Sequence, residues 1–310
     1  MGLFHCPLGA IFRDDEPCID CGLCEAQTKE EKIRATKKIR EHLRSLKDRT
    51  SAVKKIAVCG KGGAGKTTFI TLLAGVLQEM NYSVIALDTD ESNPGLYRML
   101  GLEAEPLPLK SLLKGASSRE SVPSPAWITK DTISTTDIPK PYFSQKGMLR
   151  FLSIGKIVDP FEGCACSMAD VARIFLEKLT LQEKEILIID MEAGIESFGR
   201  GVERTVDTVL IIVEPTFESF ALAEKVSYMA DGIGVGNVFA VLNKVPSKDI
   251  ETVIQNKLAE LKIKSIGTIY FSLPVTEAAF KGLPPGDSVA KDNVRNIVES
   301  LLDFDANRQK

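Results

Sequence analysis

The sequence predicts an α/β protein in which a doubly wound, mostly parallel sheet carries helices on both faces, preceded by a small metal-bound module. Two observations support this fold class. Apolar runs without polar interruption, such as 84–87, 186–189 and 209–213, are typical of strands buried on both faces. Amphipathic stretches with a helical period separate these runs, as the crossover connections of parallel strands require.

The bulk composition is that of an ordinary α/β protein with an appendage. The chain has 310 residues, and we divide it into a cysteine-rich module at 1–28, an amphipathic linker helix at 29–52 and an α/β domain at 53–310. Its net charge of −3 gives no reason to expect a nucleic-acid partner. Because no apolar run reaches the roughly 20 residues that span a bilayer and the N-terminus lacks a secretion signal, we expect a cytoplasmic protein without a membrane partner.

The cysteines of the first module indicate a metal centre. The chain has seven cysteines, and in a chain without a secretion signal these favour metal or redox chemistry over disulfides. Cys18, Cys21 and Cys24 have the spacing with which bacterial ferredoxins hold three corners of a cubane cluster. Cys6, followed by proline, supplies a fourth thiolate on the N-terminal side. We predict a 4Fe-4S cluster, with a zinc site as the alternative.

The stretch at 25–50 is charged and lacks glycine and proline. Ile33, Ile39, Leu43 and Leu46 recur at roughly helical spacing, which predicts an amphipathic helix. Its apolar face either packs on the α/β domain, which we favour, or docks a partner.

The central motif of the chain is a strand, a glycine-rich turn and a helix at 56–77. This context is that of a phosphate-binding P-loop, in which backbone N–H groups and a helix N-terminus bind phosphate oxygens. Lys66 would reach the β- and γ-phosphates, and Thr67 would hold Mg²⁺. The predicted nucleotide-binding residues are Gly60, Lys61, Gly62, Gly63, Ala64, Gly65, Lys66, Thr67 and Thr68.

The same glycines also satisfy a dinucleotide-binding pattern, with Asp88 at a plausible distance for a ribose contact. A dinucleotide turn has no use for the Lys66–Thr67 pair, so ATP is the favoured ligand.

Acidic residues follow two of the predicted buried strands. Asp88 and Asp90 come after the strand at 83–87, and Asp190 ends the strand at 185–190 in a Walker-B arrangement. Carboxylates at strand carboxyl ends lie at the ligand edge of an α/β sheet. The order of elements continues with strands at 148–154, 208–213, 237–245 and up to 269, and with helices from Met168 to about Leu179 and from Val289 to about Asp303.

The segment 101–147 interrupts this periodic pattern. It contains prolines at 106, 108, 123, 125, 139 and 141 and the only tryptophan, Trp127. We interpret it as an insertion that covers one face of the domain.

Cys164 and Cys166 form a close pair at a predicted helix start, where thiolates are favoured. The pair cannot complete a tetrahedral site alone. A symmetric dimer would supply two more thiolates and form a four-thiolate metal site on its axis. The alternative is a pair of small residues in a tight turn.

With Lys61 inside the loop, the P-loop resembles that of the deviant Walker-A ATPases, the group of the nitrogenase iron protein and the cell-division and plasmid-partitioning ATPases. The resemblance implies a homodimer that closes on Mg-ATP, with Lys61 reaching the partner's phosphates. It implies a Mg²⁺-proximal Asp88 and a water-orienting Asp90, so that Lys61, Lys66 and Asp90 are catalytic and Thr67, Asp88 and Asp190 serve Mg²⁺. Asn243, at a strand end, would bind the adenine edge.

The stretch 163–201 resembles more narrowly the CooC-type accessory ATPases, which help load nickel into carbon monoxide dehydrogenase. The segment at 190–196 is similar to theirs, although Ser197 stands where they usually have histidine. The resemblance implies that ATP turnover drives nickel delivery from Cys164 and Cys166 to such a client. Three alternatives stay open: an ATP-gated electron-transfer activator, an iron–sulfur cluster carrier and a non-enzymatic nucleotide switch.

Overall fold

The computed structural model describes residues 20–46, 53–90, 95–113, 126–156, 165–191, 205–286 and 288–308. The helices are α1 Lys29–Leu46, α2 Lys66–Glu79, α3 Leu96–Met99, α4 Ala165–Lys178, α5 Phe217–Gly232, α6 Lys248–Glu260, α7 Leu273–Phe280 and α8 Val289–Arg308. The strands are β1 Lys55–Gly60, β2 Ser83–Asp88, β3 Ile133–Ser134, β4 Ser144–Lys146, β5 Leu149–Ser153, β6 Leu179–Thr180, β7 Glu185–Asp190, β8 Thr208–Val213, β9 Asn237–Val245 and β10 Lys264–Tyr270.

The main sheet has eight strands in the order β10-β9-β8-β1-β7-β2-β5-β4. All neighbouring pairs are parallel except β4 and β5, which are antiparallel. β1 lies in the interior of the sheet between β7 and β8, so its carboxyl end is flanked on both sides by other strand ends. The predicted mostly parallel sheet is confirmed.

Two hydrophobic cores lie on opposite faces of the sheet, which confirms the doubly wound arrangement. One core is formed with α4, α5 and α6, through residues such as Phe175, Val226 and Leu258. The other is formed with α2, α3 and α8, through residues such as Phe69 and Ile297. Side chains of each strand alternate between the two faces, so continuous apolar runs are buried on both sides.

The segment 101–147 contributes short elements in its described parts. β4 forms one edge of the main sheet, and β3 pairs with β6 in a small second sheet. Trp127 is buried and packs against Tyr142, with 5.5 Å between ring centroids. Because Trp127 belongs to the core on the α4 face, this segment covers that face of the domain, as the proline-rich composition predicts.

Helix α1 packs against α5 and buries Ala35 and Ile39. Its start is a capping box: Thr28 Oγ1 accepts from Glu31 N at 3.2 Å, and Glu31 Oε2 accepts from Thr28 N at 2.9 Å. The predicted helix is therefore confirmed; of its predicted apolar face, Ile39 is buried, whereas Ile33 is 61% exposed. The division of the chain into three domains remains a prediction.

Two helix bounds differ from those predicted. Helix α4 begins at Ala165 instead of Met168, and α8 continues beyond Asp303 to Arg308. Within the described ranges, the helices lack the combination of length and apolar character that crossing a membrane requires.

Phe151→Ala should lower the free energy of unfolding by about 3–5 kcal/mol, because Phe151 is fully buried in β5 and its loss leaves a cavity. Phe217→Ala is the matched control, since Phe217 is 81% exposed, and should change stability by less than about 0.5 kcal/mol. Urea unfolding followed by circular dichroism measures both. Equal destabilisation of the two variants would contradict the packing described.

Candidate functional site

The turn between β1 and α2 has the backbone of a phosphate-binding loop. Gly60, Gly63 and Gly65 have φ values of 149°, 80° and 96°. At Gly60 a Cβ atom would lie 2.7 Å from the carbonyl oxygen of Ile212 in β8. At Gly65 it would lie 2.4 Å from Asn243 Nδ2. The loop therefore requires glycine at both ends, for its dihedral angles and for its close contacts.

The first turn of α2 presents uncapped N–H groups and a lysine at this loop. Gly65 is the N-cap residue, and no described side chain caps the helix. Lys66 is 8% exposed, and its Nζ donates to the carbonyl oxygen of Gly60 at 3.4 Å, which folds the ammonium back over the loop. Backbone donors, the helix dipole and a cation thus converge, as binding of a phosphate group requires.

The predicted carboxylates gather beside this loop. Asp88 and Asp190 end the adjacent strands β2 and β7 and are register partners. Both are buried, at 2% and 1% exposure, and Asp90 is 5% exposed. The backbone N–H of Asp90 donates to Asp88 Oδ1 at 3.1 Å. Neither carboxylate oxygen of Asp190 has a hydrogen-bond partner among the described residues.

The pKa values of these carboxyl groups reflect their burial. Desolvation raises the pKa of Asp88 to about 6, although the Lys156 ammonium acts in the opposite direction. Desolvation, followed by the charge of Asp88, raises the pKa of Asp190 well above its usual value. A buried carboxylate without a partner is a suitable ligand for a hard cation, so the donor set fits Mg²⁺.

Lys156 is a site residue that sequence reasoning missed. It follows the end of β5, and its Nζ donates to Asp88 Oδ2 at 2.6 Å and to the carbonyl oxygen of Asp90. Its position could have identified it, because Lys156 follows the carboxyl end of a strand in the same sheet.

Lys61 lies on the outer side of the loop between two carboxylates of its own chain. Its Nζ is 3.6 Å from Glu214 Oε1 and 3.7 Å from Glu218 Oε2. Lys244 also approaches Glu214, at 3.4 Å, and donates to the carbonyl oxygen of Gly63. Glu214, Glu218 and Lys244 were not predicted as site residues.

A cavity of about 360 Å³ adjoins the P-loop. Asn243 lines it and donates from Nδ2 to the carbonyl oxygen of Ala64 at 2.7 Å. The rest of the lining is largely apolar and comes from α2, α7 and the end of β10, including Phe69, Tyr270 and Phe271. An apolar cavity lined by one amide fits a planar base, and the adenine contact of Asn243 remains a prediction.

The structure brings Gly60–Thr68, Asp88, Asp90, Asp190 and Asn243 to one edge of the sheet, since they lie on or after the carboxyl ends of β1, β2, β7 and β9. Their individual roles remain predictions. The segment 192–204 lies outside the described residues.

The cysteine sites are described only in part. Cys21 and Cys24 lie on a turn before α1, in which Asp20 and Gly22 have φ values of 51° and 78°. Lys38 of α1 donates to the carbonyl oxygen of Asp20 at 3.2 Å and holds this turn on the helix. Cys6, Cys18 and Cys164 lie outside the described residues, and of Cys166 the structure gives only its place in the first turn of α4.

The loop, the acidic edge and the base-sized cavity on a doubly wound sheet define a P-loop nucleotide-binding protein. The chain belongs to the CobQ/CobB/MinD/ParA nucleotide binding domain family, whose model matches residues 55–285.

Three relatives are similar to most of the chain. An uncharacterized ATP-binding protein of Methanocaldococcus jannaschii is 38% identical over 208 residues, covering 65% of this chain and 83% of that protein. The carbon monoxide dehydrogenase accessory protein CooC of Rhodospirillum rubrum is 29% identical, covering 80% and 96%. An iron-sulfur cluster carrier protein of Methanocaldococcus jannaschii is 24% identical, covering 86% and 88%.

Among solved structures, the MinC:MinD cell division protein complex of Aquifex aeolicus contains a chain that superposes with a TM-score of 0.59 at 18% identity. The match covers 81% of this chain and 96% of that one. This similarity confirms the predicted fold class.

Gly65→Ala should weaken ATP binding at least about tenfold, because alanine at this positive φ is strained and its Cβ overlaps the Asn243 amide. Titration with a fluorescent ATP analogue measures this. Gly75→Ala is the matched control in α2, where no described atom lies within 4 Å of the added Cβ. It should bind ATP normally and gain about 0.5–1 kcal/mol of stability. Normal ATP binding by Gly65→Ala would contradict the assignment of the loop.

Asp190→Asn should stabilise the nucleotide-free protein at pH 8 by at least about 1 kcal/mol, because it removes a buried, unpartnered carboxylate. The raised pKa of Asp190 means that the folded state favours the protonated form. The wild type therefore loses stability as the pH rises above about 4, where the unfolded carboxyl ionises. The gain should disappear towards pH 4 in thermal unfolding at a series of pH values. A gain independent of pH would contradict this prediction.

Proposed function

We propose that this chain is an ATP-hydrolysing, dimeric metallocentre maturation factor that couples ATP turnover to nickel loading of a carbon monoxide dehydrogenase-like client. The observation that carries the proposal is the similarity to CooC along 96% of that protein's length. The arrangement of the nucleotide site supports it, because the predicted phosphate, Mg²⁺ and base contacts meet at one edge.

The ATPase half of the proposal follows from the positions of the side chains. Lys66 and the N-terminus of α2 bind the phosphates, and the amide of Asn243 lines the base cavity. Asp190, Asp88 and Thr67 would hold Mg²⁺, which offsets phosphate charge when bound. Asp90 orients the attacking water.

The exposure of Lys61 supports the proposed dimer. Its side chain is 38% exposed and lies at the outer surface of the loop. In a closed dimer, Lys61 would exchange Glu214 and Glu218 for the phosphates of the facing subunit. A homodimer closed on ATP would also bring Cys164 and Cys166 of both subunits towards one axis, where they would bind a single Ni²⁺ or Zn²⁺ ion.

A second candidate is an iron–sulfur cluster carrier, which the similarity to the carrier protein of Methanocaldococcus jannaschii favours. The turn with Cys21 and Cys24 is compatible with a 4Fe-4S cluster, since both thiols are free and have the spacing of ferredoxin ligands. In the first proposal the same cluster, or zinc, would serve docking or redox sensing.

The experiment is nickel titration and metal analysis of the anaerobically purified full chain, followed by activation of nickel-free carbon monoxide dehydrogenase. We expect about one Ni²⁺ per two chains, as a shared four-thiolate site requires. Cys164→Ser/Cys166→Ser should abolish this binding and the activation. The matched variant Cys21→Ser/Cys24→Ser should lose iron but keep nickel, and Lys66→Ala should bind nickel without ATP-driven activation.

The outcomes separate the candidate functions. Nickel binding that survives loss of both Cys164 and Cys166 would overturn the delivery model. A reducible cluster at that pair, seen by EPR spectroscopy, would favour the electron-transfer activator. Transfer of an intact cluster to an apo-protein would favour the carrier.

A further inference from the structure

The connection that leaves β5 is held firmly at the acidic edge. The backbone N–H of Lys110 donates to the carbonyl oxygen of Ile154 at 2.8 Å, and its Nζ donates to the carbonyl oxygen of Lys156. Gly155 has a φ of 140°, and a Cβ there would lie 2.4 Å from Lys110 Cδ. Residues 154–156 thus contact Lys110, and the Lys156 side chain reaches Asp88 at the edge.

The ammonium of Lys156 contacts Asp88, a carboxylate predicted to bind Mg²⁺. Its side chain is 11% exposed and that of Asp88 is 2% exposed. At 2.6 Å the contact is a charge-assisted hydrogen bond away from water. The same ammonium also donates to the carbonyl oxygen of Asp90. Removal of one partner of such a buried pair is costly, because the other charge is left without its counterion.

We propose that the Lys156 ammonium pairs with Asp88 in the nucleotide-free site and competes with Mg²⁺ for this carboxylate. Binding of the metal therefore depends on the nucleotide. This inference rests on the Mg-ATP binding proposed above and not on the metal bound at the cysteines. Lys156 would act on the metal through Asp88 and is therefore a positioning residue.

The balance of charged groups at the acidic edge supports competition between Lys156 and a divalent cation. Three carboxylates, of Asp88, Asp90 and Asp190, face two ammonium groups, of Lys66 and Lys156, and both lysines act on the pKa of Asp190. A divalent ion that binds Asp88 must displace Lys156 from this carboxylate, and nucleotide phosphates supply further oxygen ligands for such an ion.

The test is Mn²⁺ binding to the full chain at pH 8, followed by EPR spectroscopy without nucleotide and with ADP. The variants are Lys156→Met, Lys156→Arg and Lys156→Met/Asp88→Asn. Lys55→Met is the matched control, because Lys55 Nζ donates to the carbonyl oxygen of Leu176, on another element, at 2.8 Å.

Without nucleotide, Lys156→Met should bind Mn²⁺ at least about tenfold more tightly than the wild type, because Asp88 is then free of its cation. The gain should vanish in the double variant with Asp88→Asn. Lys156→Arg and Lys55→Met should match the wild type. With ADP, the difference between Lys156→Met and the wild type should narrow, since the phosphates then provide ligands.

Equal Mn²⁺ affinity of folded Lys156→Met and the wild type would overturn the proposal, as would a gain that survives Asp88→Asn. Where Lys156→Met does not fold, Lys156→Gln takes its place with the same expected gain. The wild type also provides a test without any Lys156 variant. Tight nucleotide-free Mn²⁺ binding that Asp88→Asn removes would show that Lys156 does not exclude the ion. Failure of nickel delivery would leave all these outcomes unchanged.

Discussion

Two carboxylates, those of Asp88 and Asp190, lie side by side at the ends of neighbouring parallel strands and out of water. Charged carboxylates in such a place are unfavourable unless cations or hydrogen-bond donors offset them. Lys156 pairs with one of them, while the other has no hydrogen-bond partner among the described residues. The site is thus built around a local excess of negative charge that a metal nucleotide would relieve.

This constraint is compatible with a stable fold because the rest of the sheet is apolar on both faces. The acidic residues of the site lie at the carboxyl edge, where parallel strands that are distant in sequence all end. The phosphate loop is held there by neighbours on two strands: Ile212 of β8 lies against Gly60, and Asn243 of β9 lies against Gly65. These two strands therefore support the loop from both of its ends.

Both cysteine segments are attached to elements that carry nucleotide-site residues. The turn with Cys21 and Cys24 is bonded to α1, which packs on α5, and α5 carries the Glu218 that faces Lys61. Cys166 lies in the first turn of α4, ten residues beyond Lys156 along the chain. In the proposed maturation factor, these two connections would link the nucleotide site to the thiols.

The sequence by itself determined the parallel strands of the main sheet, the helices before and after the phosphate loop, the last helix, the loop itself and the acids at strand ends. These signals are local: apolar period, glycine spacing and the residue that follows each strand. It also placed Asn243 correctly at the edge, through its position at the end of a strand.

Only the tertiary structure decided the strand order and the partners of each charge. Lys156 and Asp88 are 68 residues apart in the chain, and no local pattern distinguishes Lys156 from other lysines that follow strands. The pairing of Lys61 with Glu214 and Glu218, and the packing of α1 on α5, were hidden for the same reason. The partner of each charged side chain depends on the order of the strands in the sheet. That order is determined by long-range burial of apolar side chains and not by neighbours in sequence.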